Sequence, residues 1–183
     1  MMNQTIQDAI NRQINAEMGA SYSYLAMSAW CERNNFTGSA RWLRAQSREE
    51  YGHAMRLFDF MLDRNARPDL LKLDQPRGEY KSLAEIFETA YEQEKSVSAQ
   101  IDALYELAFR EKTYPAAVQL EWFLNEQVEE EKTFREIVAR LRMVAQRARE
   151  LPAAAVAAAG GLHDRRRSDP GGRGDRDAGA GCP

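Results

Sequence analysis

Four long segments of the chain repeat apolar residues at the 3.6-residue period of an α-helix. The first runs roughly from Thr5 to Asn34, opens with Thr5-x-x-Asp8 as a capping signature, and carries Ile6, Ile10, Ile14 and Leu25 inward. The second runs roughly from Ser39 to Asn65 with Leu43, Leu57 and Met61 on its stripe. The third starts at a capping box, Ser82-x-x-Glu85, and carries Leu83, Phe87, Ala90, Val97, Ile101, Leu104 and Ala108. The fourth starts near Pro115, a residue suited to a first helical turn, and carries Leu120, Phe123, Phe134, Val138 and Leu141.

Short joins around Asn34–Gly38 and Glu111–Tyr114 predict two antiparallel helical hairpins. Between the second and third helices lies Ala66–Lys81, with two prolines and no clear period. At ~3.3 Å per residue this stretch reaches ~50 Å. A helix of about 30 residues is about 45 Å long, so the connection can cross a bundle from end to end. The predicted fold is all-α, a four-helix bundle with a long crossover between helices 2 and 3, occupying residues 1–150. From Leu151 the composition shifts to Ala, Gly, Arg, Asp and Pro without an aromatic residue. Residues 151–183 therefore read as a disordered or atypical tail, in which the Ala run is a possible short helix and His163 is solvent-exposed.

Composition narrows the function classes. The chain has 183 residues, 44% hydrophobic and 29% charged, with a net charge of -3. That supports one domain with a proper core and argues against a dedicated nucleic-acid binder. The two cysteines, Cys31 and Cys182, lie far apart and in no metal-ligand spacing. "MMNQTIQDAI" has neither a basic start nor an apolar run, and no segment approaches the length of a membrane span. A cytoplasmic protein without a membrane partner is expected.

Polar residues interrupt every apolar stripe. Ile10 and Ile14 are followed by Glu17, Ser21 and Tyr24. Glu50 and His53 stand between Leu43 and Leu57, Glu94 between Ala90 and Val97, and Gln127 and Glu130 between Phe123 and Phe134. Glu17 and His53 are each eighteen residues from Asn35, and Glu94 and Glu130 are each eighteen from Lys112, so within each hairpin they meet at one height. An unpaired buried carboxylate costs several kcal/mol, and no Lys or Arg falls on these stripes. Two divalent cations would balance four glutamates, with His53 as a neutral nitrogen ligand. Such an oxygen-rich donor set suits iron or manganese.

Over about Met1 to Arg147 the sequence resembles the bacterial non-haem ferritins, in Glu17, "YLAMSAWC", "EEYGH", Glu94, "EWFLNEQ" and "NEQVEEE". The resemblance implies that Glu17, Glu50 and His53 bind a first iron, and that Glu50 bridges to a second held by Glu94 and Glu130 with Gln127 nearby. It also implies a third, weaker iron site at Glu49, Glu126 and Glu129. Tyr24 and Trp122 would lie beside the centre as electron donors, although Tyr24 also reads as a core tyrosine with a paired hydroxyl and Trp122 as packing. Haem-binding relatives carry Met after the bridging Glu and a second Glu-x-x-His; Tyr51 and Gln127-x-x-Glu130 stand there instead, so no haem is expected.

The function implied is ferroxidase activity coupled to iron storage: Fe(II) is oxidised by O2 or H2O2 and stored as ferric mineral inside a homo-oligomeric shell of 24 subunits. A di-iron oxidase or peroxidase that retains its metals is the alternative, though the rubrerythrin-like kind needs a Cys-x-x-Cys site absent from this sequence. A bundle serving only as a scaffold is a further one. The tail does not resemble the short apolar fifth helix that ferritins place near a fourfold channel.

Overall fold

The computed structural model describes residues 2–150; the tail, with the expected Ala-run helix and His163, lies outside them. Four helices occupy the described chain: α1 (Gln4–Arg33), α2 (Thr37–Asp63), α3 (Leu83–Arg110) and α4 (Tyr114–Glu150). Two of the starts, those of α1 and α3, are capped by side chains. The α1 cap is Asn3 rather than Thr5, because the Asn3 Oδ1 accepts from the Ile6 N–H at 2.9 Å. At α3 the Ser82 Oγ accepts from the Glu85 N–H at 3.1 Å. The Glu85 carboxylate reaches back to the Lys81 N–H at 2.5 Å and takes an ion pair from Arg77 at 2.7 Å.

Three helices end alike. Asn35, Asn65 and Lys112 adopt φ of 64°, 52° and 54°. In each case the following N–H returns to a carbonyl of the last turn: Phe36 to Cys31, Ala66 to Met61 and Thr113 to Ala108. These are Schellman closures, which satisfy end carbonyls and reverse the chain. Asparagine tolerates the left-handed region better than lysine does.

Buried apolar side chains form two clusters, and all four helices contribute to both. The first takes Ile6–Ile14 of α1, Ala54–Met61 of α2, Val97–Ala108 of α3 and Ala116–Phe123 of α4. The second takes Tyr24, Met27, Trp30 and Cys31 of α1, Ala40 and Leu43 of α2, Ile86, Phe87 and Ala90 of α3, and Phe134 and Val138 of α4. The N-terminal halves of α1 and α4 thus share an end with the C-terminal halves of α2 and α3. Helices α2 and α3 are therefore parallel, and the chain between them must travel the length of the bundle. It does so beside α1. The Asp69 N–H donates to the Asn11 Oδ1 at 2.9 Å near its start, and Arg33 pairs with Glu79 at 2.6 Å near its end. Ala66 is buried in the first cluster and Tyr80 in the second.

Leu25 is not on the buried face: it is 46% exposed. The buried positions of that half of α1 are Ala20, Tyr24, Met27, Ser28, Trp30 and Cys31, and Leu25 lies one residue, about 100° of helical rotation, from Tyr24. Beyond Leu141 every described side chain of α4 is exposed.

Replacing the exposed Lys112 by glycine should stabilise the second hairpin. Relief of the left-handed strain exceeds the entropy that glycine adds to the unfolded chain by about 0.5–1 kcal/mol. The thermal midpoint of Lys112→Gly should rise; an unchanged or lower midpoint would show that this turn is not strained.

Candidate metal centre

Between the two apolar clusters, each helix buries polar side chains at one level. They are Glu17 on α1, Ser47, Glu50 and His53 on α2, Glu94 on α3, and Gln127 and Glu130 on α4. Spacing explains the pairs: Glu50 with His53, and Gln127 with Glu130, are three apart and so share a helix face. No Lys or Arg is buried among the described residues.

Candidate ligand atoms converge in three overlapping groups, with all atoms of a group within 4.8 Å of one another. Glu17, Glu50 and His53 form one, and Glu50, Glu94 and Glu130 form another; Glu50 belongs to both, as a bridge would. A third group joins Glu49 and Glu126 to His53 and Glu130. Glu49 is exposed and Glu126 half-buried, so this group reaches the surface, at a pocket also lined by Gln46, Trp42 and Thr133. Glu129 lines that pocket but does not join the close group. It precedes Glu130 by one residue and so sits about 100° around the helix.

The hydrogen bonding follows one pattern. The Tyr24 hydroxyl donates to the Glu94 Oε1. The Gln127 Nε2 donates to the Glu130 Oε2 at 2.9 Å, while its own Oε1 accepts from the Ser98 hydroxyl at 3.0 Å. On α1 the Gln13 Nε2 donates to the Glu17 Oε1 at 2.8 Å. The remaining oxygens, Glu17 Oε2, Glu94 Oε2 and Glu130 Oε1, are buried without a hydrogen-bond partner, as are the Glu50 Oε2 and the His53 Nδ1, which lie 3.3 Å apart. Buried polar atoms are nearly always paired. Five such orphans, on residues that fall in two close groups sharing Glu50, make a donor set for cations. The imidazole is fixed by edge-on packing against Trp122 at 5.3 Å and Phe123 at 6.0 Å, and Arg56 covers the Trp122 ring at 4.2 Å.

Electrostatics point the same way. Burial, and then the neighbouring carboxylates, push Glu17, Glu50 and Glu130 above the ordinary carboxyl range; Glu94 is raised by burial. Burial beside Glu94 likewise raises the Tyr24 phenol, keeping it protonated as a donor. Gln13 was not among the residues singled out from the sequence. Its signal was present: it lies four residues before Glu17, on the same face.

Residues 7–144 match the family model for the ferritin-like domain. The chain belongs to the ferritin family. Among curated ferritins, it is 36% identical over 143 residues to a bacterial non-heme ferritin of Escherichia coli, covering 78% of this chain and 87% of that one. It is 39% identical over 142 residues to a bacterial non-heme ferritin of Bacteroides fragilis, covering 78% and 89%. Among solved ferritin structures, the open pore ferritin of the hyperthermophilic archaeon Archaeoglobus fulgidus superposes with a TM-score of 0.79 at 37% identity, covering 81% and 92%. The four-helix ferritin-like bundle is thus a shared architecture, and no described helix is long and apolar enough to cross a membrane.

The raised carboxyls set a pH dependence for the iron-free protein. Groups that hold protons more tightly when folded stabilise the fold at low pH and lose that contribution as pH rises past their unfolded value of 4.5. The thermal midpoint should therefore be lower at pH 8 than at pH 6, and Glu130→Gln should flatten the difference. Equal pH slopes in the two proteins would refute the assignment.

Proposed function

We propose that this ferritin oxidises and stores iron, with Glu17, Glu50 and His53 holding one ferrous ion, Glu94 and Glu130 a second, and Glu50 bridging them. The observation that carries this reading is that five residues from four helices, each with a buried, partnerless ligand atom, form two close groups that share Glu50. Two ferrous ions balance the four carboxylates. Each would give one electron, so that the pair would reduce O2 to H2O2, or H2O2 to two waters, with two protons taken from solvent, and the pairing would spread the change in charge. Gln127 steadies Glu130 through its own bond to Ser98. Tyr24, hydrogen-bonded to Glu94 and stacked on Phe134 with ring centroids 5.8 Å apart, is placed to donate an electron.

Iron is substrate here rather than a resident cofactor. The second site lacks an imidazole and holds its ion more loosely, which suits a product that moves on to a ferric mineral. Glu49, Glu126 and Glu129, grouped at the surface beside His53 and Glu130, supply a third and weaker iron site on that route. The centre works without haem: Tyr51 follows Glu50 and is half exposed. The storage form is a shell of 24 copies in the cytoplasm. In support, Tyr22, Leu25 and Tyr51 are exposed around one apolar patch with Met18 and Leu73, an area that a lone subunit would leave in water.

Two measurements test this. In an anaerobic titration the chain should bind two Fe(II), the first more tightly than the second, and on exposure to O2 it should then take up many more as mineral. Glu50→Ala should slow Fe(II)-dependent oxygen consumption by at least about a hundredfold. Unchanged consumption would remove the ferroxidase reading, and iron fixed at two per chain would favour a di-iron enzyme that keeps its metals.

A further inference from the structure

The carboxylates at the ends of the centre share an arrangement: one oxygen is held by a neutral donor, the other has no partner. Tyr24 serves Glu94 and Gln127 serves Glu130. On α1 the same part falls to Gln13, 3% exposed, whose Nε2 lies 2.8 Å from the Glu17 Oε1 while the Glu17 Oε2 stays buried and unpartnered. The amide presents its nitrogen to Glu17, and once Glu17 is ionised, as a metal ligand must be, the carboxylate can only accept.

We propose that Gln13 is a positioning residue of the first iron site, holding one oxygen of Glu17 so that the other is turned toward the metal. The proposal rests on the di-iron reading above. Its physical basis is torsional. The terminal torsion of glutamate is broad and roughly two-fold, so a buried carboxylate without a directional partner samples orientations in which neither oxygen faces the ion. A donor on one oxygen removes that freedom. Because the donor is an uncharged amide, it does so without neutralising the ligand, as a lysine would. Gln13 is suited to this by its place four residues before Glu17 on one helix face. It also lines a groove between α1 and α3 with Arg12, Gln100 and Leu104, so a merely space-filling role is the rival account.

The test uses the full chain and anaerobic Co(II) as the probe, read by visible absorption. Glu17→Gln and Glu94→Gln identify the signals of the two sites. Gln13→Met keeps the length of the side chain, and so the wall of the groove, but removes the N–H; Gln13→Leu serves if that variant does not fold. The site lost in Glu17→Gln should bind Co(II) about 10- to 100-fold more weakly in Gln13→Met, with a shifted absorption band. The site lost in Glu94→Gln should keep its affinity. Unchanged binding and spectrum, or equal weakening of both sites, overturns the proposal and supports space filling. Failure of the parent chain to bind two Co(II) ions would instead overturn the di-iron reading, and this inference with it.

Discussion

Four carboxylates are buried together at mid-height in the bundle, and among the described residues no buried lysine or arginine accompanies them. Leaving each one ionised and unpaired would cost several kcal/mol, a large fraction of the net stability of an ordinary domain. Burial raises the proton affinity of Glu17, Glu50, Glu94 and Glu130, with the neighbouring carboxylates adding to it at Glu17, Glu50 and Glu130, and proton uptake lowers that cost in the iron-free protein. The two apolar clusters, one toward each end, supply the packing that tolerates a polar layer between them. Neutral donors complete the layer by engaging some oxygens and leaving others for a cation.

Much of this was legible from residue spacing, and the parts that were not have identifiable reasons. Helical periodicity revealed four helices because each buries a long stripe. It misplaced the first cap because Thr5 and Asn3 both have capping chemistry, and the helix already starts at Gln4, with Asn3 holding the Ile6 N–H and Thr5 inside the first turn. Counting from the hairpin tips put the polar residues at one height, and both tips, Asn35 and Lys112, have left-handed backbone. It could not orient one hairpin against the other, since that depends on which halves pack together. The membership of the two clusters decides it, and the crossover's contacts with Asn11 and Arg33 agree.

Side-chain direction is the finer limit. Leu25 and Glu129 each sit one residue from an inward position, and about 100° of rotation separates a buried residue from an exposed neighbour. Gln13 escaped notice for another reason. A glutamine on a helix normally faces water, and only its hydrogen bond to a buried glutamate reveals its place in the centre.

The directions of the helices carry a last consequence. α1 and α4 run against α2 and α3, so their axial dipoles oppose in pairs. The acidic layer lies eighteen residues from Asn35 and Lys112, about 27 Å along a helix, and the field of a helix end fades within a turn. The backbone therefore places no permanent positive potential at that level. Whatever compensates the acids must therefore come from solution, so the charge carried by this layer is set by the protons and cations of the surrounding medium.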